Sequence, residues 1–192
     1  MPANFDPLQF TVDRVPTPIG DMVLVVDHDG VLRASEFFDH EERMRTLLRQ
    51  QYQRDGKVTM KDGTAPKPVR AAFEAYYDGE LTAIDRLKVK TGGTPFQREV
   101  WRLLRTIRPG KTTSYGKLAV RIGLPNAARA VGMANGANPI SLVVPCHRVI
   151  GADASLTGYG GGIARKQWLL RHEGAAFKSP AMDEVTLQLP GI

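Results

Sequence analysis

The chain has 192 residues, enough for one medium domain or two small ones with a buried core. Hydrophobic residues make up 42% and charged residues 24%, which is ordinary for a globular protein. No apolar run approaches the roughly 20 residues that span a bilayer, and the first residues lack the basic and apolar segments of a secretory signal. The single cysteine, Cys146, excludes an internal disulfide and a multi-cysteine zinc site, so we expect a cytoplasmic protein.

The net charge of +6 is concentrated in the second half of the chain. Residues 1–92 hold 13 Lys and Arg against 15 Asp and Glu, a balance of −2, whereas residues 93–192 hold 13 against 5, a balance of +8. Such a one-sided positive field attracts polyanions, and nucleic acid is the first candidate. Basic residues that only solvate a surface would give the same count, so charge alone leaves both interpretations open.

The first half is predicted to fold around a small antiparallel sheet. Two apolar runs, at residues 22–26 and 31–37, flank a turn sequence at 27–30. This pattern predicts a β-hairpin, which we expect to be joined by a strand near residues 10–12.

Two helices are predicted beside this sheet. Asp39 is a suitable N-cap for a helix that runs to about residue 51. Helical spacing of apolar residues predicts a second helix from Val69, which Gly79 ends. The polar stretch between them, at 56–68, is rich in Gly, Lys and Pro and is predicted to be a loop.

The second half, beyond a boundary near residues 91–93, is predicted to be mostly helical. Thr94 as the cap and Pro95 as the first residue are a strong helix start. Ser114 is predicted to cap a short helix to residue 122, and another helix follows at 126–135 after a Gly-containing turn. Such a pair resembles a helix-turn-helix, although many helical domains contain one.

Three further segments complete the second half. The run at 140–144 is predicted to be a buried strand from its length and β-branched residues. A glycine-rich loop at 156–162 follows, and a last helix at 163–172 ends at Gly174. Residues from 175 onward are predicted to be a partly ordered tail.

The helix predicted at 126–135 has an unusual composition, because small residues surround one long cation, Arg129. Small side chains allow the backbone to approach another surface closely. That surface is either a neighbouring helix or a ligand, and the composition alone does not distinguish them.

Cys146 directly follows the apolar run at 140–144. A lone cysteine is most often an inert small hydrophobe, whereas a nucleophilic cysteine needs a base and an orienting group. His147 is its neighbour, but adjacent side chains in extended backbone point to opposite sides, so contact requires a turn or an intervening water. Glu173 offers a carboxylate and Asn138 an amide. A cysteine hydrolase would also fit, and the residues alone leave the inert and nucleophilic interpretations open.

Several motifs in the second half occur in one order and spacing. They are Asn138-Pro139, Pro145-Cys-His-Arg-Val149, Thr157-Gly-Tyr159 and Trp168-Leu-Leu-Arg-His-Glu-Gly174. Together they resemble the O6-alkylguanine-DNA alkyltransferases, also called methylated-DNA–protein-cysteine methyltransferases. The resemblance runs from about Thr94 to Gly174, and the N-terminal half matches only in general layout.

The resemblance implies a repair protein that transfers an alkyl group from guanine O6, and less readily from thymine O4, irreversibly to its own cysteine. Cys146 matches the acceptor. His147 would take the thiol proton through a bound water, and Glu173 would orient His147. Asn138 would brace the turn that presents the cysteine, and Tyr115 would assist the leaving guanine.

The resemblance also implies that the damaged nucleotide is flipped out of the base stack. Arg129 matches an intercalating residue, supported by Tyr115 and Ala128 at the minor groove of double-stranded DNA. Tyr159 and Gly160, together with the main chain at Val149, would form the base pocket.

The implied fold is an α/β (α+β) domain with a small antiparallel sheet and an RNase H-like layout at 1–92. A mostly helical, winged-helix-like helix-turn-helix domain at 93–178 and a tail at 179–192 would follow. Some family members bind zinc in the first domain through Cys and His, but this chain has only two histidines and no cysteine there. We therefore expect no metal and no cofactor, and a monomer that does not associate with membranes.

Two other functions are weighed against alkyl transfer. Some relatives only bind the lesion, but another residue replaces their acceptor cysteine, so Cys146 argues against that class. A transcription regulator would need base-reading side chains, and the alanine-rich second helix of the pair offers few.

Overall fold

The structure is a computed structural model that describes residues 8–53 and 58–178. The predicted tail at 179–192 lies outside the described residues. Within the described part, no helix is both long enough and apolar enough to cross a membrane.

A four-stranded sheet forms the centre of the first half, in the order β3-β2-β1-β4. The predicted hairpin is confirmed, and the carboxylate of Asp27 accepts hydrogen bonds from two backbone N–H groups of its turn. The antiparallel prediction holds for three strands only, because β4 pairs parallel with β1. The strands are β1 (Leu8–Val15), β2 (Met22–Val26), β3 (Leu32–Phe37) and β4 (Val58–Asp62).

The prediction of a loop at 56–68 was wrong over β4. This strand lies at the sheet edge and its residues are only half-buried or exposed, so its polar composition does not distinguish it from a loop. Both faces of the sheet are covered, and alternate residues of β2 therefore enter two different clusters. Val23 and Val25 pack in one cluster, whereas Met22 and Leu24 pack in the other.

Two helices flank the sheet, α1 (Glu41–Tyr52) and α2 (Lys67–Tyr77). The prediction that Asp39 caps α1 was wrong, because Asp39 lies within a single 3-10 turn and His40 occupies the cap position. The Asp39 carboxylate instead accepts a hydrogen bond from Arg165 Nη1 at 2.9 Å. Gly79, with a φ of 106°, follows the end of α2 as predicted.

In the second half, the residues that the structure describes, up to 178, form four α-helices and a two-stranded parallel ladder. The Thr94 hydroxyl accepts a hydrogen bond from the backbone N–H of Gln97, and the Gln97 side-chain oxygen accepts one from the backbone N–H of Thr94. The predicted helix start is therefore confirmed, and it is a capping box. Ser114 caps its helix as predicted. The elements are α3 (Pro95–Leu104), β5 (Thr113–Ser114), α4 (Tyr115–Arg121), α5 (Ala128–Gly136), β6 (Val149–Ile150) and α6 (Ile163–His172).

The strand predicted at 140–144 was wrong. These residues are buried, but they form a compact turn in which Leu142 has a φ of 71° and Val144 N donates to Ile140 O. The run is buried as its β-branched composition indicates, but burial alone does not distinguish a strand from a buried turn. This turn precedes Cys146 in the chain and positions it.

The two halves share one hydrophobic cluster and backbone hydrogen bonds. Ser35 N, on β3, donates to Pro139 O at 3.0 Å, and Ser141 N donates to Ser35 O at 2.8 Å. The sheet is therefore fastened directly to the turn that precedes the cysteine.

Candidate active site

Cys146 begins a single 3-10 turn, Cys146–Arg148, and is 6% exposed. Asn138 lies beside it, and its amide nitrogen is 3.2 Å from Cys146 Sγ and 2.8 Å from Val144 O. The same side chain accepts from Ile140 N at 2.9 Å, so it links both ends of the turn. Burial raises the pKa of the Cys146 thiol, and the contact with Asn138 opposes that rise only in part. The thiol therefore needs a base before it can act as a nucleophile.

His147 is completely buried, and its Nε2 lies 2.9 Å from Glu173 Oε1. Because a carboxylate only accepts hydrogen bonds, we assign the proton of the neutral ring to Nε2. His147 Nδ1 then carries the lone pair, and it has no hydrogen-bond partner within the described part of the chain. Burial lowers the pKa of His147, and the nearby Glu173 opposes this only in part. The ring is therefore neutral near pH 7 and can accept a proton.

Glu173 accepts hydrogen bonds from three residues in the described part of the chain. Besides His147, Tyr76 Oη donates to Oε1 at 2.8 Å, and Arg148 donates to both oxygens at 2.8 and 2.9 Å. Burial alone favours the protonated acid, but His147 and Arg148 outweigh it and hold the pKa of Glu173 well below its ordinary value. Glu173 is thus a buried anion that fixes the His147 ring.

Two of these partners were not predicted as site residues. No role of its own was predicted for Arg148, and the structure buries it at 1% exposure against Glu173. Tyr76 comes from α2 in the first half. It lies within the helix that the apolar spacing predicted, and no sequence signal indicated this hydrogen bond.

A pocket of about 270 Å³ opens beside the cysteine. Cys146, Tyr115, Tyr159 and Gly160 line it. Val149 does not line it, because its side chain is buried and its carbonyl accepts from Lys166 Nζ at 2.6 Å. The remaining lining residues, which the sequence did not single out, are Arg43, Gly132, Asn135, Gly136, Ser141 and Gly158.

Helix α5 has one packed face and one open face. Val131 and Ala134 are buried, and Trp101 Nε1 donates to Ala134 O at 2.8 Å, so the small residues do serve tight helix packing. The other face is open, with Arg129 exposed and Met133 74% exposed one turn later. Arg129 and Ala128 lie in the first turn of α5, outside the pocket lining. The lining residues Gly132, Asn135 and Gly136 belong to the later part of the same helix.

Several known proteins are similar to this chain in sequence. A sequence profile described as "6-O-methylguanine DNA methyltransferase, DNA binding domain" matches residues 95–175. The methylated-DNA–protein-cysteine methyltransferase of Salmonella typhimurium is 50% identical over 167 residues, covering 87% of this chain and 97% of that protein. Its namesake from Haemophilus influenzae is 38% identical, covering 89% and 88%.

Solved structures give the same result. A crystal structure of Mycobacterium tuberculosis OGT in complex with DNA is 41% identical, with a TM-score of 0.70, covering 85% of this chain and 92% of that one. A structure of the O6-methylguanine methyltransferase of the same organism is 39% identical, with a TM-score of 0.69, covering 90% and 96%. These identities extend over both halves of the chain, and therefore the chain belongs to the family of methylated-DNA–protein-cysteine methyltransferases.

Proposed function

We propose that this chain repairs DNA by moving an alkyl group from guanine O6, and less readily from thymine O4, to Cys146, once per molecule. The observation that carries the proposal is the Cys146 thiol on the wall of a pocket, in the same turn as the buried His147, which pairs with Glu173. The names of the relatives describe the same activity.

Activation of the thiol is the first step. The raised pKa of Cys146 keeps it protonated near neutral pH, and His147 Nδ1 is the lone pair that can accept its proton through one bridging water. The Glu173 anion orients the ring and stabilises the imidazolium that forms. Asn138 holds the turn and donates toward the sulfur, which favours the thiolate.

Transfer is then one substitution at the alkyl carbon. The sulfur–carbon bond forms as the carbon–O6 bond breaks, and the electron pair of the broken bond stays on guanine. Tyr115, on the pocket wall, donates a hydrogen bond to guanine as it leaves. Guanine takes up one proton in place of the one that left the thiol, so the products are a thioether and ordinary guanine. The chain has no second cysteine to accept the group from this thioether.

Access to guanine O6 requires the nucleotide to leave the base stack. The exposed face of α5 carries Arg129 about one turn before the pocket-lining Gly132, and small neighbours such as Ala128 let that helix approach DNA closely. We infer that Arg129 fills the vacated space from the minor groove of double-stranded DNA. Tyr159 and Gly160, which line the pocket, then hold the flipped base.

The finer organisation belongs to the same proposal. Helices α4 and α5 would act as a winged helix-turn-helix within a DNA-binding domain at 93–178, preceded by an α/β domain at 1–92. The protein would act as a monomer in the cytoplasm, and the reaction as written needs no cofactor.

Duplex DNA with a radiolabelled methyl group on guanine O6 tests the proposal. Label should pass to the wild-type protein and not to Cys146→Ser, whose hydroxyl stays protonated, while both proteins bind the duplex. Bound label should never exceed one methyl per molecule. A wild-type protein that bound the lesion without acquiring label would be a lesion-binding protein, and the proposal would be wrong.

A further inference from the structure

Arg43 is a pocket residue supplied by the first half of the chain. It lies on α1, whereas the other described residues that line the pocket all come from position 115 or later. Its guanidinium bridges the two halves, with Nη1 bonded to the Glu36 carboxylate and Nη2 to the carbonyl of Gly136 at the end of α5.

Glu36, the carboxylate that Arg43 binds, is itself held in place by other hydrogen bonds. Glu36 is completely buried on β3, and its Oε1 accepts from Ser141 Oγ and Phe37 N, both at 3.1 Å. A planar guanidinium held at two points by a buried carboxylate and a carbonyl has little freedom to swing aside. Arg43 is therefore a fixed part of the wall.

The guanidinium also packs against Gly160 in the glycine-rich loop. A Cβ added to Gly160 would lie 2.8 Å from Arg43 Cζ, so the Arg43 side chain already fills the space beside this residue. Arg43 thus lies between two lining residues of the pocket, Gly160 and Gly136. At about 270 Å³, the pocket is smaller than the roughly 300–1,000 Å³ usual for drug-sized ligands.

We propose that Arg43 sets the upper size of the O6-alkyl group that Cys146 accepts, which makes it a specificity-determining residue for this reaction. An O6-methyl group fits in the pocket beside the Arg43 guanidinium. Butyl and benzyl groups are larger and compete with the guanidinium for the space between Gly160 and Gly136. The inference rests on the proposed function and adds its substrate class, small O6-alkylguanines.

The test compares duplexes that carry O6-methyl-, O6-butyl- or O6-benzylguanine. Arg43→Ala alone would leave the Glu36 carboxylate buried without its partner. The test variant therefore combines Arg43→Ala with Glu36→Gln, and its rates are compared with those of the single variant Glu36→Gln. The butyl-to-methyl and benzyl-to-methyl rate ratios should rise about tenfold or more, since one methylene in a pocket is worth about 10–200-fold. Arg43→Lys, which keeps the charge but not the fork, should give a smaller rise. Arg49→Ala, an exposed arginine on the same helix, should leave the ratios unchanged.

Each outcome decides the inference. Unchanged ratios in the double variant, with methyl transfer intact, would refute the size role alone. A falling benzyl ratio would show that the guanidinium attracts aromatic groups, which also contradicts it. Should the double variant not fold, the Arg43→Lys ratios decide. Failure of the wild-type protein to accept methyl on Cys146 would instead refute the proposed function.

Discussion

Replacing Glu173 with glutamine keeps the shape of the side chain and removes its charge. The carboxylate accepts from His147, Tyr76 and Arg148, with donors on both of its oxygens. A glutamine NH₂ must face one of these donors in either orientation, and the Arg148 cation remains buried without an anion.

The size of the effect follows from that unpaired charge. Removing one partner of a buried ion pair costs about 3–5 kcal/mol of the free energy of unfolding. For a chain of this length, each kcal/mol lowers the Tm by about 2–4 °C, so Glu173→Gln should lower it by roughly 6–20 °C. Methyl transfer should fall as well, because His147 loses the group that orients it.

Thermal unfolding followed by circular dichroism measures this change. Glu99→Gln is the matched control, because Glu99 pairs with Arg102 on the exposed surface of α3, and its Tm should equal that of the wild type. The lowered pKa of Glu173 means that its stabilisation is complete above about pH 4.3, its ordinary value, and is lost as the pH falls. The difference in Tm should therefore narrow in acid. Equal Tm values for Glu173→Gln and the wild type at pH 7 would refute the account of this buried anion.

Two further predictions concern cations. Arg129→Ala should slow repair of a methylated duplex by about tenfold for each 1.4 kcal/mol of uncompensated unstacking. Reaction with free O6-alkylguanine should change much less, and equal losses on both substrates would indicate a structural arginine. Burial lowers the pKa of Lys166 to about 8, so between pH 8 and about 10.4 the unfolded state binds more protons and stability rises with pH. Denaturant unfolding in a Cys146→Ser background should show this rise, Lys166→Met should abolish it, and parallel curves for the two proteins would contradict it.

Local signals predicted much of the fold. The hairpin, the helix start at Thr94 and the Ser114 cap depend on neighbouring residues, and all are confirmed. Errors arose where tertiary packing decides the structure. The edge strand β4 forms only because β1 pairs with it, and the turn at 140–144 is shaped by Asn138 and by contact with β3.

The site divides in the same way. Spacing alone did not bring His147 to Glu173, 26 residues away, and only the family resemblance paired them. The contributions of Tyr76 and Arg43 have no sequence signal, because both depend on how the first half packs against the second. A core tyrosine and a helical arginine are ordinary residues until the fold places them beside the cysteine.

The central claim is that Cys146 accepts the alkyl group once and keeps it. Peptide mass mapping after incubation with excess O6-methylguanine duplex tests it most directly. The account predicts that the mass of one CH₂ unit is added only to the peptide that contains Cys146, and that repair stops at one guanine per protein molecule. A methyl group on another residue, or repair that continues beyond that equivalence, would contradict it.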